Sequence, residues 1–228
     1  DRVRADLKKA GIPFLAGNVM DAASGKPYFD TFKMFRRAGL RVAVLGYTNA
    51  NIKAWLDESL WAGLEFDSLL PLVRQDVDKV RASHKPDVVI VAVHSGTGRG
   101  DGLVLEDQGM DLMNSLRGVD LVLCAHDHRQ YTCANDSMAL VNSGAKAAFL
   151  GHARIDSGGK GQGKRISAGL VRIGVDREDA DMVSLFHPDF LKVKEFVNRK
   201  VGRLDVELRA SDAYAGMSDY LNLIHSVQ

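Results

Sequence analysis

Two short apolar runs that each break off into histidine constrain this chain more than any other feature. Val88 to Val93 is six apolar residues in a row, approached through Pro86-Asp87 and left at His94-Ser95-Gly96. Asp120 to Cys124 is almost wholly apolar and leaves through Ala125-His126-Asp127-His128-Arg129. Runs this short and this apolar read as strands buried on both faces, the pattern of a parallel sheet covered by other elements. Val88 to Val93 is also the longest uninterrupted apolar stretch, far short of the roughly 18 residues a membrane-spanning helix needs.

Between the two strands lie a glycine-rich loop, Ser95 to Gly102, and a helix around Asp107 to Leu116. Ahead of them Leu69, Leu70, Leu72, Val73, Val77 and Val80 fall at helical spacing within Phe66 to Ser83, and Lys85-Pro86 ends that helix. The strand–helix–strand order predicts helices on both faces of the sheet. Further upstream, Gly11 stops a short polar helix and Ile12 to Val19 reads as a strand. Ser24 to Pro27 is a turn, and a hairpin through Ala38-Gly39 ends in the buried strand Leu40 to Leu45. Asn49 to Leu64 is a long connection. Past residue 130, Met138 to Asn142, Phe149 to Asp156 and Ala168 to Asp176 follow one another like hairpin strands, so the later part of the sheet is expected to be antiparallel. Phe190 to Val201 reads as a helix, Arg203 to Met217 as a linker, and Ser218 to Gln228 as a new amphipathic helix. The predicted class is α/β with mixed, α+β-like sheets. The chain opens at Asp1 within a polar helical pattern and closes at Gln228 within a periodic one, and reads as an interior fragment of something longer.

Composition removes several function classes. Thirty Lys and Arg against 29 Asp and Glu give a net charge of +1 over 228 residues, not the basic footprint of a nucleic-acid polymer binder. With 46% hydrophobic and 26% charged residues, disordered and fibrous readings have little room. The two cysteines, Cys124 and Cys133, are too few to set a redox compartment.

Parallel strands present their carboxyl ends on one edge, where open α/β sheets bind ligands. His94 ends one strand, and His126 and His128 lie just past the other. Three imidazoles at one edge suit metal ligation, and the alternation of His126 and His128 across Asp127 lets them face separate metals or opposite sides of one. No Ser, Cys or Asp sits beside them in a nucleophile motif. His84, His152, His187 and His225 are isolated and read as structural. Gly158 to Lys164 nearly matches a phosphate-cradling loop, but Arg165 stands where Ser or Thr would hold Mg²⁺ and a strand follows in place of a helix. Gly17-Asn18 reads as a strand end. Cys124, His126, His128 and Cys133 offer an alternative, a closed Cys₂His₂ structural zinc site. Against it, Cys124 closes an apolar strand where a buried thiol is expected, and a disulfide stays open.

The run Val88 to Gly96 and the segment Cys124 to Arg129 resemble the two distal metal motifs, H-x-G and G-H-x-H, of the calcineurin-like metallophosphoesterases. Pro13 to Val19, Gly25-Lys26-Pro27 and Leu40 to Thr48 are similar to that family's 5′-nucleotidase branch, which includes UDP-sugar hydrolases and 2′,3′-cyclic-nucleotide phosphodiesterases. Val141 to Gly144 resembles its N-x-G turn, and Gly216 to Gln228 its first C-terminal-domain helix. The resemblance implies a metallophosphatase-type β-sandwich of mixed sheets flanked by helices, present as an incomplete domain. It implies residues 1–210 as the distal part of the catalytic domain and 211–228 as a linker and the first helix of a substrate domain. His94 and His126 would bind one metal and His128 the other. The cofactors would be two divalent ions (Zn, Mn or Fe) and the substrate a nucleotide or related phosphoester. The location would be periplasmic or extracellular. The family's D-x-H and G-N-H-[DE] motifs are absent from this sequence, so the chain would carry half of the metal site, be inactive alone, and have the N-terminal half of the same protein as its partner. Ala125 stands where the family usually has Gly, which is tolerable only if the backbone there avoids positive φ. A degenerate phosphatase-fold scaffold that binds a partner through its sheet edge is the remaining alternative.

Overall fold

Val88–Val93 and Leu121–Cys124 run side by side and parallel in the interior of a six-stranded sheet. The structure, a computed structural model, describes residues 2–156, 163–174, 178–216 and 218–228. In chain order the elements are α1 (Arg2–Lys9), β1 (Val19–Asp21), β2 (Phe32–Arg37), β3 (Leu40–Tyr47), α2 (Ile52–Trp55), β4 (Leu64–Phe66), α3 (Leu69–His84) and β5 (Val88–Val93). There follow α4 (Gly109–Ser115), β6 (Leu121–Cys124), β7 (Gln130–Ala134), β8 (Ala139–Ser143), β9 (Phe149–Asp156), β10 (Arg165–Arg172), α5 (Ala180–Val197) and α6 (Asp219–Val227). Contacts divide the chain into Asp1–Ile173 and Gly174–Gln228.

In the first unit the sheet order is β2-β3-β5-β6-β8-β7. The four inner strands are parallel and the two edge strands antiparallel, so the sheet is mixed as the sequence predicts. Strand alternation separates its two faces. Ala43 and Leu45 of β3, Val89 and Val91 of β5, Val122 of β6 and Leu140 of β8 point to one side. There they pack with Leu69, Val73, Val77 and Val80 of α3 and Leu112 and Met113 of α4. Leu121, Ala139 and Val141 point to the other side, against Ala153 and Ile155 of β9 and Ile166, Ala168 and Leu170 of β10.

The expectation of helices on both faces is therefore corrected. Both packed helices share one face, and the antiparallel hairpin β9–β10 covers the other, a helix–sheet–sheet layering. A strand buried on both faces has the same apolar signature whether its cover is a helix or another sheet, so the pattern alone could not separate them. The second cover reaches only part of the sheet, and Leu123 on that face stays 39% exposed.

Other boundaries moved for local reasons. Ile12 to Asn18 contains only a bridge from Leu15 to Asp30, and the strand begins at Val19 and pairs with β4. Pro13 has no N–H to give a ladder, which disfavours a strand there. The edge strand β7, unforeseen in the sequence, follows directly on the histidine loop. Residues 158–162 of the phosphate-loop look-alike, and residues 175 and 176 of the predicted strand 168–176, lie outside the described residues.

In the unit Gly174–Gln228, α5 spans Ala180–Val197 where Phe190 to Val201 was expected. The Asp179 carboxylate caps it by accepting from the Met182 N–H at 2.9 Å, and Pro188 lies inside it. Within the expected linker, Ala210–Ala215 forms a 3-10 turn, while Met217 lies outside the described residues. The Ser218 hydroxyl accepts from the Leu221 N–H and starts α6.

Candidate functional site

The parallel register brings the two histidine loops together. The N–H of His94 donates to the Tyr47 carbonyl at 3.0 Å, and that of Ala125 to the Ser95 carbonyl at 3.1 Å, extending the pairing past the strand ends. Ser95 is fully buried. Its hydroxyl donates to the Glu106 carbonyl at 2.8 Å and accepts from the Gln108 N–H at 2.8 Å. Gly96 is required by space: a Cβ there would run into the Asp107 carboxylate and come within 2.9 Å of Asp127 Cβ.

Asp127, between the two histidines, is the organising group. Its carboxylate accepts from the Thr97 N–H at 2.8 Å, the Arg129 N–H at 3.2 Å and Asn142 Nδ2 at 2.6 Å. Asn142, fully buried at the end of β8, also donates to Thr97 Oγ1 at 3.0 Å and accepts from the Gly144 N–H at 3.1 Å. Burial raises the Asp127 pKa, but these donors outweigh it and hold the carboxyl below its ordinary value. With Asp127 held this way, the flanking residues turn sharply: His126 has φ +100° and His128 φ +57°, while Ala125 is not among the positive-φ residues. The condition for Ala125 is met, and the backbone strain sits on the histidines themselves.

The three predicted histidines are brought to one edge. The His94 and His126 rings meet edge to face at 5.2 Å. His128 is exposed, yet close enough for its charge to act on His94. Desolvation first, then the neighbouring His126 and His128, lower the His94 pKa and favour the neutral imidazole a metal requires. His126 Nε2 lies 3.2 Å from Glu106 Oε2, and the Trp55 indole stacks on the same ring at 4.8 Å and 15°. Burial, then the charges of Asp127 and Glu106, raise the pKa of Asp107.

Trp55, Glu106, Asp107 and Asn142 were not foreseen as site residues. The adjacent acids Glu106-Asp107 facing a histidine edge were a usable signal. Nothing in the sequence marks Trp55, which lies on the long connection after β3.

Among the described residues, no group of three or more His, Cys, Asp or Glu is arranged to hold a metal ion. This corrects the Cys₂His₂ alternative. Cys124 packs in the helix-side core and Cys133 Sγ lies 3.8 Å from Met110 Sδ, so the thiols and imidazoles do not converge, and both thiols are free. Burial, then the charge of Asp127, pushes the Cys124 thiol up to about 12, away from the thiolate zinc needs. His94 and His126 do fit part of a divalent ion's shell: two nitrogen donors on one edge, the first held neutral.

No protein-family model matches the chain. A 5′-nucleotidase of Vibrio cholerae is 26% identical over 87 residues, which is 38% of this chain and 16% of that protein. A 2′,3′-cyclic-nucleotide 2′-phosphodiesterase/3′-nucleotidase of Yersinia enterocolitica is 20% identical over 137 residues, 56% of this chain and 21% of that one. Among solved structures, a calcineurin-like phosphoesterase of Bacillus subtilis superposes with a TM-score of 0.73 at 16% identity, covering 86% of this chain and 67% of that one. Part of the chain is similar in sequence to 5′-nucleotidases, and its fold is shared with a calcineurin-like phosphoesterase. The chain matches about a fifth of the length of the two curated relatives named above. No helix among the described residues is long and apolar enough to cross a membrane.

Proposed function

We infer that this chain supplies part of a two-metal centre that hydrolyses nucleotide phosphoesters, of the 5′-nucleotidase or 2′,3′-cyclic-nucleotide phosphodiesterase type. The observation that carries the reading is the 5.2 Å edge-to-face pairing of His94 with His126 at the carboxyl ends of adjacent parallel strands, with His128 two residues on. His94 and His126 would hold one ion and His128 would reach the other, with Zn, Mn and Fe all compatible with imidazole ligands. When bound, such ions supply Lewis-acid activation of the phosphoester and of the attacking water. The chain's own residues present nitrogen donors: Asp127 sets the turn between His126 and His128, and Trp55 shields one face of the His126 ring from water.

Two donors are too few to close a site, so the remaining ligands are proposed to come from an N-terminal half of the same protein, and the chain alone is expected to be inactive. In this reading residues 1–210 are the distal part of the catalytic domain, residues 211–228 begin a substrate domain, and the location is periplasmic or extracellular.

The test is elemental analysis of metal per chain, with nucleotide monophosphate and 2′,3′-cyclic nucleotide hydrolysis, in protein carrying the upstream half, for wild type, His94→Ala and His126→Ala. About two metals per chain, at least one lost with activity in either variant while the fold is retained, is expected. Full metal content and activity in both variants would overturn the reading.

A further inference from the structure

The His126 ring is held on three sides by residues from separate segments. His94 meets it edge-on from the end of β5, Trp55 stacks on it from the end of α2, and the Glu106 carboxylate reaches its Nε2 at 3.2 Å from the loop before α4. Two of these contacts come from loops, and loops place side chains well only when their backbones are pinned.

Here they are pinned through one buried amide. Asn49 is fully buried; its Nδ2 donates to the Glu106 carbonyl at 3.0 Å, and its Oδ1 accepts from the Asn51 N–H, one residue before α2, at 2.9 Å. The same Glu106 carbonyl also accepts from Ser95 Oγ at 2.8 Å and the Gly96 N–H at 2.9 Å. Glu106 is thus tied by its main chain to the loop carrying His94 and to the helix carrying Trp55, while its side chain stays free to engage His126.

We propose that Glu106 and Trp55, tied together by Asn49, are positioning residues that hold His126 with its proton on Nε2 and its Nδ1 bare for a divalent cation. The proposal rests on the reading of His126 as a metal ligand. A carboxylate can only accept, so a neutral imidazole facing Glu106 through Nε2 carries its proton there, leaving the Nδ1 lone pair unprotonated. The stacked indole holds the ring plane in the orientation that the left-handed backbone of His126 imposes. Asn49 explains why both arms share one register: shifting α2 would pull the amide off Glu106.

Long-range ¹H–¹⁵N NMR of the imidazoles at pH 8 in protein carrying the upstream half, before and during Zn²⁺ titration, tests this. Wild type should show His126 as one tautomer, protonated on Nε2, with zinc shifting Nδ1. Glu106→Ala should give mixed tautomers and about 10- to 100-fold weaker zinc binding, whereas Glu106→Gln, whose amide oxygen still accepts, should restore the tautomer. Trp55→Ala should weaken zinc and Trp55→Phe recover it; both side chains are partly exposed, so these variants keep the fold. A wild-type His126 protonated on Nδ1, a tautomer unchanged in Glu106→Ala, or zinc shifting Nε2 would overturn the proposal. The expected tautomer with no zinc response in any imidazole would support the clamp and overturn the metal reading on which the function rests.

Discussion

Asn142→Ala is the sharpest perturbation of the network beneath the histidines. The side chain is fully buried and makes three hydrogen bonds: to Asp127 at 2.6 Å, to Thr97 Oγ1 at 3.0 Å, and from the Gly144 N–H at 3.1 Å. Each buried bond lost costs about 1 kcal/mol, and the bond to the charged Asp127 more, so the variant should lose about 3–4 kcal/mol. For a unit of this size each kcal/mol moves Tm by about 2–4 °C, so thermal unfolding followed by circular dichroism should show a fall of roughly 6–16 °C at pH 7.

The pH dependence gives a second check. Donors to Asp127 outweigh the upward push of burial and hold its folded pKa below the unfolded value. Such a group stabilises the fold fully above about pH 3.9 and loses that contribution as pH falls through the folded pKa. Asn142 is one of those donors, so the Tm gap between wild type and variant should narrow as the medium is acidified below about pH 4. A fall of less than about 2 °C at pH 7, or a gap that widens in acid, would refute the account of Asp127 as the group organising the turn.

Two further outcomes follow from the packing. Gly96→Ala should cost about 2–3 kcal/mol in urea unfolding, because the new methyl meets the Asp107 carboxylate and Asp127; a neutral result would show that the loop has slack. Asp76→Asn should stabilise increasingly as pH rises from about 4 through the raised folded pKa, and then level off. Burial raises the Asp76 pKa despite the Tyr47 hydroxyl and Lys79, so the native carboxyl favours folding at low pH and penalises it as pH rises through that pKa; a gain that is constant with pH would contradict the shift.

The inner sheet was legible because Val88 to Val93 and Leu121 to Cys124 are apolar on both faces, and in a parallel sheet that pattern has few other uses. The meeting of His94, His126 and His128 at one edge was legible for the same reason, since strand ends in such sheets share one edge. The cover of the second face was not, because Ala153, Ile155, Ile166 and Ala168 of a hairpin bury the sheet as well as a helix would. The edge strand β7 is half-buried and mixed in character, Gln130-Tyr131-Thr132-Cys133-Ala134, with neither clean alternation nor a solid apolar run. Trp55 and Glu106 were hidden for a different reason: Asn49 ties the Glu106 backbone, 57 residues on, to the start of the short helix that carries Trp55, and no local pattern records a contact of that kind.

The strain at the site and the network beneath it are opposite halves of one arrangement. Two non-glycine residues at φ +100° and +57° cost of order 1–3 kcal/mol each. The four hydrogen-bond contacts of the Asp127–Asn142–Thr97 node, each about 1 kcal/mol or more where the partner is charged, are of the same size and offset that strain. The node lies behind the histidines, on Thr97 and Asn142, both almost without exposure, while His94 and His128 stay exposed and His126 is held by its ring alone. A structural histidine would be satisfied by the core. His126 and His128 are turned out of it at an energetic cost, and the compensating bonds lie on the residues around them, so the strain is carried by the loop that holds the imidazoles at the sheet edge.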